Sequence, residues 1–284
     1  MISNSLAMKR KFVNQLTLAI CILITVLTLF FLFWILLMTF QQGLHGFTTM
    51  GTKIFTQNTP APGSDGGLLN ALVGSLIMVG LGILIGGPIG ILAGTFLAEF
   101  GLNQKISQPV RFFNDVLLSA PSIITGLFIY ALIVVPLKQF SGLAGAIALA
   151  MVALPIIVRT TDEMLRLVPG SLREAGLALG APRWKVITSI TYRSAAPGIL
   201  TGLLLAIARI SGETAPLLFT ALNNQFWDTN IMRPIASLPV VIFQFAMSPY
   251  KGWQDLAWTG AFIAVSAVLA LNILSRWILK RMKH

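Results

Sequence analysis

The sequence predicts an all-α, polytopic membrane protein with six transmembrane helices. Hydrophobic residues make up 56% of the 284 residues, whereas charged residues make up only 10%. The mean hydropathy is +0.83. No soluble domain of this size buries so much apolar surface. Long apolar stretches, separated by polar connectors, have about the length that a helix needs to cross a bilayer. We therefore take each stretch as one predicted span.

Residues 1–15 form a polar N-terminus, and six apolar stretches follow at 16–40, 68–98, 115–135, 142–158, 198–218 and 257–278. The first stretch is too long for the apolar region of a signal peptide and lacks a small-x-small cleavage site, so we interpret it as an uncleaved helix. Residues 41–67 are predicted to form a loop rich in Gly, Thr and Pro. The long loop 219–256 contains an apolar run, Ile235–Met247, whose length suits an interfacial or re-entrant helix.

Four glycines of the second span recur at every fourth position. They are Gly82, Gly86, Gly90 and Gly94. This spacing places them on one face of a helix, where small residues allow close helix approach in lipid. Two interpretations remain open, namely tight packing and a surface that slides against another helix.

The basic residues are distributed unevenly between the two sides of the predicted spans. Fifteen of the twenty Lys and Arg residues fall in the N-terminus, the connector 99–113, the region 159–193 and the C-terminal end. The opposite loops contain four, which are Lys53, Lys138, Arg233 and Lys251. Positive residues favour the cytoplasm, so both termini and the region 159–197 are predicted to be cytoplasmic. The net charge of +11 therefore reflects topology and does not indicate nucleic-acid binding.

The sequence contains no constellation for catalysis or metal binding at membrane depth. The two histidines, His45 and His284, fall in a predicted loop and at the last residue, and the single cysteine, Cys21, lies within the first span. There is no Ser/His/Asp set, HExxH motif or metal cluster. A membrane-embedded enzyme, one of the alternatives considered, is therefore disfavoured, and no metal or catalytic residue is predicted.

A polar segment, Ser171–Pro197, lies between strongly apolar runs. Ser171 with Glu174 fits a capping box at the start of a helix, and Gly180-Ala181-Pro182 should end that helix. A second short helix is predicted from about 183 to 191. In the simplest interpretation, this segment is a solvated connector between two spans.

The pattern Glu174-Ala175-x-x-x-x-Gly180, with an apolar stretch and Pro197 after it, resembles the cytoplasmic coupling loop of permease subunits of ABC-type importers. The resemblance implies a type I ABC importer permease fold over residues 16–284, with the coupling loop at 159–197. In that family the short helix docks into a groove on an ATPase subunit. The residues that would carry coupling are Arg173, Glu174, Ala175 and Gly180. Gly176 departs from the family, which more often has Ala there.

Two ionisable residues, Arg209 and Glu213, lie within the fifth predicted span. Charges inside a span are costly and mark functional candidates. Four residues apart, the two share a helix face and could pair. They form either a structural ion pair or part of an anion path, in which the planar guanidinium binds an oxyanion and Glu213 holds Arg209 until the anion arrives. Arg159, at the predicted cytoplasmic end of the fourth span, either guides the anion out or snorkels to the interface.

Several motifs make the resemblance more specific. The runs Ala206–Leu218, Phe113-Asn114-Asp115, Ser119–Ile123, Arg159-Thr160-Thr161 and Asn224–Trp227 resemble the PstA-type permeases of phosphate importers. The similarity extends from about residue 43 to residue 272. It implies one half of the path of a high-affinity inorganic phosphate importer in the bacterial cytoplasmic (inner) membrane.

The resemblance also implies the partners of the chain. These are a second, PstC-like permease subunit, a dimer of PstB-like ATPase subunits that binds the ATP, an extracytoplasmic PstS-like phosphate-binding protein, and membrane lipid. No cofactor is expected on the chain itself. Two transport alternatives remain: a permease for another oxyanion, such as sulfate, molybdate or phosphonate, and a passive channel, which would need no ATPase-docking loop.

Overall fold

The computed structural model describes residues 4–101 and 105–282, and within them all regular structure is helical. The α-helices are α1 (Asn4–Met50), α2 (Lys53–Thr56), α3 (Leu69–Thr95), α4 (Ser107–Ser119), α5 (Ser122–Ile129), α6 (Val135–Leu137), α7 (Gly142–Arg166), α8 (Gly170–Ala178), α9 (Arg183–Val186), α10 (Tyr192–Ser211), α11 (Ala215–Thr220), α12 (Leu238–Ala246) and α13 (Lys251–Met282). Three π-helical segments, Phe96–Phe100, Tyr130–Val134 and Ile187–Thr191, continue α3, α5 and α9. The predicted all-α class is confirmed.

Five helical stretches in the described residues are long and apolar enough to cross a membrane. They are Met8–Met50, Leu69–Phe100, Gly142–Arg166, Arg183–Ser211 and Lys251–Leu274. A sixth span results if α4 and the stretch Ser122–Leu137, which are bent by 105° relative to each other, count as one. The polytopic architecture is thus as predicted, although several limits differ. His284 lies outside the described residues.

The first span is longer than predicted, because α1 continues to Met50. The prediction of a loop from residue 41 is therefore wrong for residues 41–50. Gly43 and Gly46, which suggested a loop, face α13 instead. A Cβ atom at Gly43 would collide with Phe262, and one at Gly46 would collide with Thr259. These glycines allow two helices to pack closely, while the side chains of residues 8–38 remain exposed.

The third span is broken, whereas the sequence predicts one helix over 115–135. Ala120 and Pro121 have ψ angles of 135° and 132°, which are extended rather than helical. Proline disfavours the helical conformation of the residue before it, and this effect explains the break between Ser119 and Ser122. A long apolar run with one proline allowed either a kink or a full break.

The predicted limits of the fourth and fifth spans are also wrong. The fourth, α7, extends to Arg166 instead of ending at 158, because Arg159–Glu163 and Asp162–Arg166 ion pairs support its polar last turns. The fifth begins at Arg183 as a continuous helix through α9, the π-helical segment and α10, and it ends at Ser211 rather than at 218.

Helices α3 and α7 form the centre of the fold. The face of α3 that is formed by Gly82, Gly86, Gly90 and Gly94 is buried on α7. A Cβ atom at Gly90 would lie 2.8 Å from Ile157 Cγ2, and one at Gly94 would lie 2.6 Å from the Val158 carbonyl oxygen. The main apolar core adjoins this contact and includes Met78, Leu149, Ile157, Ala206, Ile210, Leu217 and Ile235.

The close contact between α3 and α7 predicts that alanine substitutions at two glycines of α3 differ in their effect on stability. Gly94→Ala should lower the free energy of unfolding by about 1–3 kcal/mol, because a backbone oxygen of α7 cannot give way to the added methyl group. Gly80→Ala is the matched control, since nothing lies within 4 Å of the position its Cβ would occupy. Thermal unfolding midpoints of the purified variants measure the difference. Equal midpoints would contradict the packing assignment.

Candidate translocation path and coupling surface

Arg209 and Glu213 lie on the two sides of a break in the fifth span. Arg209 is in the last turn of α10, which ends at Ser211, and Glu213 lies in the non-helical residues before α11. Arg209 Nη2 and Glu213 Oε1 are 3.6 Å apart. The Arg209 side chain is 52% exposed, whereas that of Glu213 is 13% exposed. The two residues pair, but they do not belong to one continuous helix.

An open cavity of about 580 Å³ adjoins this pair. It is lined by Ile156, Leu205, Arg209, Gly212 and Glu213. Among the described residues that line the cavity, Arg209 is the one with a positive charge. Because the distance to Glu213 exceeds that of a hydrogen bond, the carboxylate compensates the guanidinium charge without binding it tightly. The guanidinium is thus half-exposed on the cavity and has no hydrogen bond to Glu213.

The broken third span packs directly beside this site. A Cβ atom at Gly126 of α5 would lie 2.5 Å from Pro216 Cα, which is in the first turn of α11. Pro216 suits that turn because its missing N–H would have no helical partner there. The helices that follow the two breaks, α5 and α11, are thus in direct contact through Gly126 and Pro216.

Arg159 does not join Arg209 and Glu213. It lies within α7 and forms ion pairs with Glu163 at 2.9 Å and Asp115 at 4.0 Å. Its side chain is exposed and lines a different cavity, between α4 and α7. The structure thus separates Arg159 from the other two residues that were predicted to line an anion path.

The first helix of the polar segment Ser171–Pro197 begins differently from the sequence prediction. Helix α8 starts at Gly170, directly after Pro169, and no side chain caps it. The capping box of Ser171 and Glu174 is therefore a wrong prediction. Pro169 is the N-cap residue with an extended ψ of 137°, so Ser171 is already inside the first turn. The second helix of the segment likewise does not end at 191 but continues into α10.

At the other end of α8, Gly180 has a φ of +77°, in the left-handed region. Glycine adopts this region without steric cost and commonly terminates helices. The Gly180 N–H donates to the Leu177 carbonyl at 2.9 Å, and the Ala181 N–H donates to the Gly176 carbonyl at 3.3 Å. The chain then turns into α9 through Pro182.

The two sides of α8 differ in chemistry. Glu174 and Ala175 are exposed, and so are the apolar side chains of Leu172 and of Leu179, which directly follows the helix and is 88% exposed. On the inner side, Gly176 is buried, and a Cβ atom there would lie 2.7 Å from Ile190 Cδ1. The position that departs from the family pattern is thus the one that packs closely on the π-helical segment 187–191.

Arg173 lies on the inner side of α8, unlike Glu174 and Ala175. Its guanidinium binds Glu99 and the carbonyl groups of Leu165 and Val168. Glu99 was missed by the sequence analysis, where its only signal is an acidic residue at the cytoplasmic end of an apolar run. The ionic partner of Arg173 is 74 positions away in the sequence.

Comparison with known proteins identifies the family. Residues 86–284 match the model of the binding-protein-dependent transport system inner membrane component. The phosphate transport system permease protein PstA of Haemophilus influenzae is 55% identical over 274 residues, which cover 96% of each chain. The chain belongs to the PstA family of permease proteins. The PstA protein of Yersinia pestis is 52% identical over 272 residues, which cover 95% of this chain and 91% of the relative.

A solved structure supports the same architecture. A chain of a bacterial ABC transporter involved in the import of the acidic polysaccharide alginate has a TM-score of 0.66 at 16% identity, with 98% of both chains covered. At this identity, the likeness shows the fold alone. The predicted ABC importer permease fold is therefore confirmed.

The turn after α8 leads to a prediction. Gly180→Ala should weaken ATPase docking, because the left-handed conformation costs an alanine about 1–2 kcal/mol. Gly180→Asn should retain docking, since asparagine tolerates this conformation. Gly170→Ala is the matched control, because no described residue lies within 4 Å of the position that a Cβ atom would occupy at either glycine, and of the two only Gly180 has a positive φ. Co-purification of the ATPase subunit with each variant measures docking. Equal losses in all three variants would contradict the role of the turn.

Proposed function

We propose that this chain lines half of the path of an ATP-driven, high-affinity importer of inorganic phosphate, with Arg209 as the anion-binding residue of that path. As a member of its family, the chain is a permease subunit of a phosphate ABC transporter; ATP is hydrolysed by a separate subunit, and the permease binds no cofactor. The position of Arg209 supports this role, because its side chain is half-exposed on an open cavity beside a break in the fifth span.

The chemistry of arginine suits this role. A charged side chain within a span is costly unless it is compensated, and Glu213 provides the compensation in the absence of an anion. The guanidinium offers planar, paired N–H donors that match the oxygens of phosphate. An arriving phosphate would exchange with Glu213 as the partner of Arg209. Because Glu213 belongs to the non-helical break, it can move away without unwinding α10.

Arg159 has a secondary role in this proposal. Asp115 and Glu163 already pair with it, so an anion that leaves the path must compete with two carboxylates to bind there. Weak, competitive binding suits an exit better than a selective site. Selectivity among oxyanions would arise at Arg209 and in the binding protein. A permease for sulfate, molybdate or phosphonate remains the second candidate, because arginine binds these anions by the same geometry.

The exposed side of α8 is the proposed docking surface for the ATPase. It combines one acidic residue, Glu174, with the small Ala175 and the exposed apolar side chains of Leu172 and Leu179. Small and apolar residues allow a helix to sit deep in a groove. Gly180 sets the direction of the chain where it leaves that groove. Arg173 would contribute from the inner side, by holding the helix in place.

The chain is part of a binding-protein-dependent ABC transporter and is a multi-pass inner-membrane protein. We assign the remaining subunits as a PstC-like permease, a dimer of PstB-like ATPase subunits and an extracytoplasmic PstS-like phosphate-binding protein. The excess of basic residues supports a cytoplasmic location for both termini and for α8. In this orientation the coupling surface faces the compartment that contains ATP.

Uptake of radiolabelled phosphate tests the function directly. Phosphate-starved cells that lack this chain should lose high-affinity uptake and regain it when the chain is restored. Arg209→Ala should reduce the restored uptake by at least about tenfold, which corresponds to about 1.4 kcal/mol, and Arg209→Lys should rescue it poorly because lysine lacks the planar fork. Arg193→Ala is the control, since Arg193 is an exposed arginine of the same helix.

Two results would contradict this assignment. Normal uptake by Arg209→Ala would remove Arg209 from the phosphate path. Unchanged phosphate uptake in cells that lack the chain, together with lost uptake of sulfate, molybdate or phosphonate, would favour the second candidate. Assembly of each variant with its partners should be measured in parallel, so that a loss of transport is not confused with a loss of the complex.

The docking surface leads to a separate prediction. Glu174→Lys should reduce co-purification of the ATPase, because it reverses the single charge on the exposed side of α8. Lys251→Glu is the matched charge reversal, at an exposed position on the opposite side of the predicted membrane. It should leave co-purification unchanged. Retention of the ATPase by Glu174→Lys, with normal phosphate uptake, would contradict the docking surface.

A further inference from the structure

Three arginines from three different helices converge on the end of the second span. Arg111 of α4 and Arg166 of α7 both donate to the Leu97 carbonyl, at 3.0 and 3.3 Å. Arg173 of α8 binds the Glu99 carboxylate two residues later. Both targets belong to the π-helical segment Phe96–Phe100. We call this arrangement of Arg111, Arg166 and Arg173 around Leu97 and Glu99 the arginine clasp.

The position of the clasp has a physical reason. The last carbonyl groups of a helix have no intrahelical donor, and a π-helical turn displaces the hydrogen-bonding pattern further. Leu97 lies in this last turn, and its carbonyl group accepts hydrogen bonds from two arginine side chains. Arginine satisfies it well because one guanidinium can bind a carbonyl and a carboxylate together. Arg111 and Arg166 do so, since both also bind Asp162.

Arg173 uses its donors more completely than the other two arginines. Its Nε lies 3.1 and 3.2 Å from the two Glu99 carboxylate oxygens, and its Nη2 donates to Glu99 Oε1 at 2.8 Å. Nη2 also donates to the Leu165 carbonyl at 2.7 Å, and Nη1 donates to the Val168 carbonyl at 2.6 Å. The side chains of Arg173 and Glu99 are only 23% and 10% exposed. One guanidinium thus joins α8 to the ends of both α3 and α7.

The Arg173–Glu99 pair is also the part of the clasp that involves α8, the proposed coupling helix. Arg111 and Arg166 join the second span to α4 and α7, and neither lies on α8. Asp162 neutralises those two arginines, whereas Glu99 pairs with Arg173. Removal of the Glu99 charge would therefore loosen α8 from the second span and leave the Asp162 network intact.

We propose that Arg173 is a positioning residue that transmits the displacement of the coupling helix to the second span through Glu99. The proposal rests on the proposed function, since it assumes that an ATPase displaces α8. A displacement of the exposed side of α8 reaches Glu99 through a short, partly buried contact with several hydrogen bonds. Because α3 is packed on α7 along its glycine face, the two spans then move together with α8. Arg173 acts from inside the permease, not on the ATPase surface.

The test is the ratio of phosphate transported to ATP hydrolysed by the full complex in proteoliposomes, with the binding protein and phosphate present. Glu99→Gln retains the shape of the side chain and leaves Arg173 its carbonyl partners. We expect it to assemble and to hydrolyse ATP, with the transport ratio reduced by about tenfold, within the range of coupling between linked sites. Arg173→Gln should lower the ratio similarly, and the double variant should be no worse than Arg173→Gln.

Arg111→Gln is the matched control, because it removes another bond of the clasp to the same segment without touching α8. We expect its transport ratio to equal that of the wild type. A purely structural role of the clasp would lower assembly in all of these variants and leave the ratio unchanged in the complexes that form. That result, or a normal ratio in Glu99→Gln, would overturn the proposal. If Arg173→Gln does not assemble, Glu99→Gln decides alone.

Failure of the proposed function gives a different result. A wild-type complex that carries no phosphate would overturn the phosphate assignment, and the ratio would then be measured with the oxyanion that the complex does carry. A wild-type complex that carries phosphate, together with variants that keep its ratio, would overturn only the role of Arg173 and Glu99.

Discussion

The structure depends on the contact between α3 and α7. In lipid, no hydrophobic effect drives helices together, so a close contact needs surfaces that let the backbones approach. The glycine face of α3 provides such a surface along α7. A similar contact attaches α10, because a Cβ atom at Gly202 would collide with Thr160 of α7. The pair α3 and α7 therefore holds two functional regions in place. Helix α10, which carries Arg209, packs on α7, and the arginine clasp binds the ends of both α3 and α7.

The sequence was sufficient for features that depend on local spacing. Apolar length identified the membrane class, a period of four placed the glycines on one face, and the four-residue separation of Arg209 and Glu213 anticipated their ion pair. The breaks in the helices were harder to predict. Proline is compatible with a kink, a break or an uninterrupted helix, and the last two occur here: the chain breaks at Pro121 but continues through Pro88 and Pro197. Tertiary packing decides between these outcomes, and the spacing of residues in the sequence gives no information about that packing.

Features that depend on distant parts of the chain could not be predicted. Gly43 and Gly46 suggested a loop because glycine is common in loops, whereas they serve a helix contact with α13, more than 200 positions away. Arg173 was predicted to act in coupling together with Glu174, but successive helical positions point about 100° apart, and the Arg173 side chain binds Glu99 on the inner side of α8. Its partner, Glu99, is 74 positions earlier. Residues that are adjacent in a motif can thus serve different partners, because successive helical positions point in different directions.

The continuity of the fifth span links the coupling loop to the anion site. One helix extends from Arg183, directly after the turn at Gly180, to Ser211, two residues beyond Arg209. Glu213 belongs to the other side of the break, where α11 is packed on α5 through Gly126 and Pro216. Under the proposed function, a displacement of the coupling loop would move Arg209 with its helix, whereas Glu213 lies beyond the break and is not part of that helix. Because the pair is 3.6 Å apart, a small relative movement would change whether Arg209 is compensated by Glu213 or available to an anion. Under the proposed function, the break at residues 212–214 is where mechanical coupling becomes a change in anion affinity.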